Sequence, residues 1–200
     1  MHIVIDANIG AGKTTLINNL QSLYKDFVFW PENVGEWMSE GWLGLYYSDI
    51  GRYASSFQMR VLLSHLEMGL NNKEVNITER CAFSNVYIFS QMLLEEGKLS
   101  ELEMKLHKKM LQVTNAKKPD LLIYLKTSTE VAYERLCSRS RDGEMNIERD
   151  YLEKLGDVYD RNVDKVAKRV IVVDGDRSEE EVLGDCRRIF EEIGNLKELV

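Results

Sequence analysis

The stretch Ile3–Leu16, IVIDANIGAGKTTL, decides the fold. Its first residues, Ile3 to Asp6, suit a buried strand; a loop with Gly10 and Gly12 follows, and Lys13 and Thr14 open a helical run to about Tyr24. Leu16, Leu20 and Leu23 give that run an apolar face at spacings of four and three. A strand feeding a loop and then a helix N-terminus is a layout that holds phosphate. The loop's N–H groups point inward, the helix dipole favours an anion, and a Lys reaches the phosphates. Thr14 is then placed to ligate Mg2+. The pattern calls for Gly-x-x-x-x-Gly-Lys-[Ser/Thr], and Ala7 stands at its first position. If that position needs a positive φ, an Ala there costs about 1 kcal/mol.

The 200 residues suit one medium domain, 1–200, with a sizeable core. With 44% hydrophobic and 30% charged residues the composition is that of a soluble globular chain. There is no apolar run of about 20 residues to span a membrane. The chain enters its first strand at once, so no export segment is expected. The three cysteines, Cys81, Cys137 and Cys186, are widely spaced and odd in number, which reads as free thiols in a reducing, cytoplasmic compartment. The net charge of −7 disfavours a general nucleic-acid binder, so a phosphate site has to concentrate basic groups locally.

Further strands are expected at Phe27–Trp30, Val75–Thr78, Leu121–Leu125 and Val170–Val173, alternating with helical runs. Glu36 to Leu45 suggests one helix, Gly51–Asn72 a long one, and Phe83–Glu95 another, stopped at Gly97. Capping boxes at Ser100/Glu103, Thr127/Glu130 and Ser178/Glu181 open three more, the last ending at Gly194. Leu102, Leu106, Met110 and Val113 read as core or as a subunit contact. The result is an α/β fold: a five-stranded parallel sheet flanked by helices.

Charged residues cluster where such sheets bind ligands. Glu32 follows Pro31 just past the second strand, and Glu79-Arg80 follows the third. Arg135, Arg139 and Arg141 approach Gly143, which suggests a flap whose guanidinium groups fold onto phosphates, with a lid at about 138–147. A phosphate loop, charged strand ends and an Arg flap form a kit for phosphoryl transfer.

Taken in order, PENVGEW, LYYSD, SSFQ, ITERCAFS, PDLLIYLKTSTEVAYERL and SRSRDGE, together with the opening stretch, resemble the deoxyribonucleoside kinases over nearly the whole chain. That group includes deoxycytidine, deoxyguanosine and insect-type multisubstrate kinases and some thymidine kinases. The resemblance implies a P-loop NTPase-type fold with an Arg-rich lid. It implies transfer of the γ-phosphate of ATP, or another triphosphate, to the 5′-hydroxyl of a deoxynucleoside. Asn8, Ile9, Gly10, Ala11, Gly12, Lys13, Thr14 and Thr15 then hold the donor with Arg135, Arg139, Arg141 and Asp176. Glu32 resembles the general base and Arg80 its partner; Thr14 and Glu79 resemble the groups that organise Mg2+. Tyr47 and Glu144 resemble the pair on the sugar 3′-hydroxyl. Gln58 resembles the amide on the base edge, among Trp37, Phe57, Val61, His65, Asn85 and Phe89. A homodimer through Phe57–Leu70 and Leu102–Val113 is also implied.

Three departures stand out besides Ala7. Cys81 sits where Ser is common, Asn85 where an Asp or a small residue marks particular base preferences, and His65 where Arg or Met is found. Neutral Asn85 and His65 suggest a broad base range. Two alternatives have features in their favour. A nucleoside-monophosphate kinase of the thymidylate type shares the loop and flap, although Glu32 would repel an acceptor phosphate. A non-catalytic kinase-like subunit is favoured by Ala7 alone.

Overall fold

Ile3, Val4 and Ile5 are wholly buried because their strand, β1 (His2–Ala7), lies at the centre of a parallel sheet. The computed structural model describes residues 1–70, 74–139 and 147–197. Among them β1 is joined by β2 (Val28–Trp30), β3 (Asn76–Glu79), β4 (Leu121–Lys126) and β5 (Arg169–Asp174), in the order β2-β3-β1-β4-β5. Every pairing is parallel, with Ile3 opposite both Ile77 and Leu121 and Leu122 opposite Val170. Strands covered on both faces need near-continuous apolar runs, which is why these segments show in the sequence.

The two faces are packed separately. Ile3, Ile5, Ile123 and Leu125 meet Leu16 and Leu20 of α1 (Lys13–Leu23) and Phe190 of α10 (Glu179–Lys197). Val4, Leu122 and Tyr124 meet Tyr159 of α9 (Arg149–Asn162) and Ile88. Ile88 belongs to a π-helical turn, Asn85–Phe89, set between α5 (Ala82–Ser84) and α6 (Ser90–Glu95). A third cluster, containing Trp37, Phe57, Leu62 and Val86, builds a helical lobe beside the sheet.

That lobe departs from the expected helices. The expected single helix at 36–45 is two, α2 (Val34–Ser39) and α3 (Trp42–Ser48), because Gly41 between them takes φ 83° and breaks the run. The long helix is α4 (Ile50–Leu66), capped at Asp49, whose side chain accepts from the Arg52 N–H; it ends short of Asn72, with Glu67 as C-cap. In α7 (Glu101–Val113) the Ser100/Glu103 box forms as expected, and Met104, His107 and Leu111 supply its buried side. Leu102, Leu106 and Val113 are 76%, 53% and 58% exposed, so they are not core. Leu23 of α1 is likewise exposed.

Two further helix ends differ. The cap of α8 (Thr129–Arg139) is Ser128 rather than Thr127: the Val131 N–H donates to Ser128 Oγ at 3.4 Å and the Ala132 N–H to the Ser128 carbonyl at 3.0 Å. β4 runs one residue past Leu125 to pair Lys126 with Asp174, which moves the turn along. Gly194 does not stop α10; it keeps helical backbone and the helix continues to Lys197. Cys81 and Cys186 are buried, Cys137 is exposed, and no disulfide joins them among the described residues. No described helix is long and apolar enough to cross a membrane.

Candidate active site

The connections after β1 and β3 leave toward opposite edges of the sheet, and a crevice opens above their C-terminal ends. A cavity of about 390 Å³ fills it. One end is the loop between β1 and α1. Gly10 (φ 81°) and Gly12 (φ 90°) make its left-handed turns. Gly12 is also the N-cap of α1 and supplies no side-chain cap, so the first N–H groups of the helix remain for an anion. Ile9, Gly10, Ala11, Gly12, Lys13, Thr14 and Thr15 all line the cavity. Lys13 Nζ donates to the carbonyls of Ala7 (3.2 Å) and Asn8 (3.0 Å). Burial, with help from the nearby Arg80 charge, lowers its pKa to about 8, against the pull of Glu79, Asp6 and Glu32.

Arg135 is drawn in from α8. Its Nη1 donates to the Gly175 carbonyl at 2.8 Å, which ties α8 to the β5–α10 turn beside the loop. Asp176 is not a cavity residue; it accepts from the Ser128 N–H at 2.7 Å and pins the start of α8. Asn8 also turns away, donating to the Leu152 carbonyl at 2.7 Å, and meets the site through its own carbonyl. Arg141, Glu144 and the side chain of Arg139 lie outside the described residues, as does most of the expected lid at 138–147.

The charged centre follows from strand register. The last β2–β3 pair is Trp30 with Thr78. Pro31 has no N–H to continue the ladder, so Glu32 and Arg80, each two residues beyond that pair, turn into the cavity together. Arg80 Nη1 donates to both Glu32 oxygens, at 2.7 and 2.6 Å. Its Nε lies 3.4 Å from the buried Asp6 carboxylate, and its guanidinium lies 4.7 Å from the Phe89 ring centroid. The backbone of Arg80 is left-handed, φ 60°, a conformation unfavourable for a side-chain-bearing residue and held here by these contacts. Burial alone would raise the pKa of Glu32, but Arg80 and Lys13 outweigh it and the net shift is down. Burial opposes the charge on Arg80 too, yet the carboxylates of Glu32 and Asp6 hold its pKa well above the usual value. Beside this pair Thr14 Oγ1 donates to Glu79 Oε1 at 3.0 Å.

The other end of the cavity is an aromatic chamber. Trp37 and Phe57 meet edge to face at 5.9 Å, and Tyr46 lies tilted on Phe57 at 4.7 Å. Gln58, Val61 and His65 enter from α4, Tyr47 from α3, and Asn85 and Phe89 from the π-helical turn. Burial lowers the His65 pKa to about 4, so its imidazole is neutral. The π turn begins at Asn85 and ends at Phe89, and both of these residues line the chamber; such turns are frequent at functional sites.

Over residues 3–196 the sequence matches the family model described as deoxynucleoside kinase. The chain belongs to the deoxynucleoside kinase family. A protein named as a kinase, 029R, of Invertebrate iridescent virus 3 is 33% identical over 195 residues, covering 94% of this chain and 95% of its own. Human mitochondrial thymidine kinase 2 is 29% identical over 194 residues, covering 90% of this chain and 73% of its own. In fold, the chain is similar to deoxyadenosine kinase from M. mycoides solved with bound dCTP, at TM-score 0.80 and 22% identity over 96% of this chain and all of that one.

Several residues that line or brace this cavity were not legible in the sequence. Tyr46 and Tyr151 line the cavity, and Tyr151 comes from α9 across the fold. Asp6 and Tyr159 lie beneath the phosphate loop, Tyr159 donating to Asp6 Oδ1 at 2.7 Å and to the Ala7 carbonyl at 3.0 Å. An acid at the end of a buried strand is the one signal that could have marked Asp6. Cys81 takes the capping place that Ser would fill, its Sγ accepting from the Ser84 N–H at 3.5 Å.

Ala7 proves to be ordinary strand. It is fully buried and is not among the residues of positive φ. The glycine requirement sits at Gly10, where an added Cβ would lie 2.2 Å from the Ala132 carbonyl oxygen. Ala7→Gly is therefore expected to leave activity equal and to lower stability by about 0.5–1 kcal/mol. Gly10→Ala is expected to displace the loop and abolish donor binding. Thermal unfolding and triphosphate titration of both variants check this, and a gain in activity from Ala7→Gly would show that the loop needs glycine there.

Proposed function

We propose that this kinase transfers the γ-phosphate of a nucleoside triphosphate, ATP in the first instance, to the 5′-hydroxyl of a deoxyribonucleoside. The observation that supports it is the position of the Glu32–Arg80 pair within one continuous cavity, with a phosphate loop at one end and an aromatic, amide-bearing chamber at the other. Glu32 takes the proton of the acceptor hydroxyl, and Arg80 holds that carboxylate and meets charge that develops as the phosphoryl group moves. Phosphoryl transfer depends mostly on position and charge, so a carboxylate of depressed basicity is adequate. Lys13, the first N–H groups of α1 and Arg135 hold the donor. Phe57 and Trp37 enclose the base, and Tyr47 faces the sugar.

The Thr14 hydroxyl and Glu79 carboxylate fit Mg2+, which takes oxygen ligands and binds through few protein groups plus phosphate and water. Bound there, it would offset the charge of the donor phosphates. The exposed row Leu102, Leu106 and Val113 on α7 supports a homodimer, and cysteines that form no disulfide among the described residues are in keeping with a cytoplasmic setting.

The test is acceptor choice. With ATP as donor, thymidine, deoxycytidine, deoxyadenosine and deoxyguanosine are compared with thymidylate. Phosphorylation of at least one nucleoside and not of thymidylate is expected, because Glu32 beside the acceptor repels a phosphate. Turnover of thymidylate alone would transfer the chain to the monophosphate-kinase reading, and no turnover at all to the non-catalytic one.

A further inference from the structure

Gln58 and Asn85 meet across the chamber, one from α4 and one from the π-helical turn. Asn85 Nδ2 donates to Gln58 Oε1 at 2.6 Å, and both residues are buried cavity residues. The bond uses one polar atom of each amide. What is left is Gln58 Nε2, a donor, and Asn85 Oδ1, an acceptor that is buried without a hydrogen-bond partner among the described residues. An unpaired buried acceptor is unfavourable, and a ligand group that meets it removes the penalty.

Both side chains end in an amide whose nitrogen and oxygen exchange places on a half-turn. If both turn together, the bond between them survives with its direction reversed. Gln58 then offers Oε1 and Asn85 offers Nδ2. The pair presents one donor and one acceptor in either arrangement, and the concerted turn swaps them. Nucleobases divide by the same swap. Cytosine and adenine show a ring-nitrogen acceptor beside an amino donor; thymine, uracil, guanine and hypoxanthine show a ring N–H donor beside a carbonyl acceptor.

We infer that the Gln58–Asn85 pair is a two-state reader that lets one chamber accept deoxynucleosides of both the amino and the oxo class. The inference rests on the chamber being the nucleoside site. His65, two turns along α4 from Gln58, adds no fixed polarity. Both of its ring nitrogens are buried without a hydrogen-bond partner among the described residues, and in a neutral imidazole either can be the donor.

The experiment uses pairs of nucleosides of one shape. Deoxycytidine and deoxyuridine differ only in the exchange of amino for oxo with the matching ring proton, as do deoxyadenosine and deoxyinosine. The wild-type kcat/KM ratio within each pair is expected to stay under tenfold. Asn85→Asp, assayed at pH 8, offers only acceptors; Gln58 must then point its amide nitrogen at residue 85, and the deoxycytidine-to-deoxyuridine ratio is expected to move by tenfold or more. Asn85→Ser restores a group that both donates and accepts, and the ratio is expected to return below tenfold. A wild-type ratio above tenfold in either pair overturns the inference while leaving nucleoside kinase activity intact. An unmoved ratio in a folded Asn85→Asp protein overturns it as well. Failure of wild type to phosphorylate any nucleoside overturns the site reading together with it.

Discussion

Glu32→Gln is expected to lower kcat by on the order of 10²-fold or more, with KM for the nucleoside changed only a few-fold. Gln keeps the size of Glu and can still accept a hydrogen bond from Arg80, whose Nη1 contacts both oxygens at 2.7 and 2.6 Å. It cannot take up a proton at any working pH. Glu32 is ionised at neutral pH in the free protein, since Arg80 and Lys13 hold its carboxyl below the usual range in spite of burial. The loss therefore isolates proton acceptance from positioning. Steady-state kinetics with a phosphorylated nucleoside read the effect, and an unchanged kcat would remove Glu32 as the base.

Arg80→Met is expected to destabilise the protein by about 3–5 kcal/mol as well as to remove activity. One guanidinium faces two carboxylates here, Glu32 and the fully buried Asp6. Without it, two negative charges remain close together with little solvent, an arrangement costlier than the original pair. Methionine keeps an unbranched apolar stem but removes the guanidinium, so the loss reports the charge together with its contact over the Phe89 ring. Urea unfolding measures it. Adding Glu32→Gln to the Arg80→Met protein is expected to recover part of the stability, because one unpaired charge is gone; the two changes are in contact and are not additive. A loss under about 1 kcal/mol in the single variant would mean that the pair behaves as an exposed ion pair.

The extent to which the chain could be read beforehand differs by element. Strands at the sheet centre are continuous apolar runs, and Lys13-Thr14 after Gly12 is a local pattern, so the sheet and the donor end follow from neighbours in sequence. Glu32 and Arg80 were visible because each stands just past a strand end, Glu32 after Pro31 and Arg80 directly after β3. By contrast, the split at Gly41 depends on a left-handed residue that the pattern Trp37–Trp42–Leu45 conceals. The choice of Ser128 over Thr127 as cap depends on Asp176, 48 positions away, holding the Ser128 N–H.

The sequence by itself determined the alternation of strands and helices, the phosphate loop and which charged groups stand at strand ends, because these are set by residues within a turn or two of one another. Only the tertiary structure decided that Ala7 is plain strand, that Asp6 and Tyr159 brace Arg80 from below, and that Asn85 engages Gln58. Those are contacts between elements distant in the chain. Their partners are selected by sheet order and by the packing of α4 and α9 against it, which no local spacing encodes.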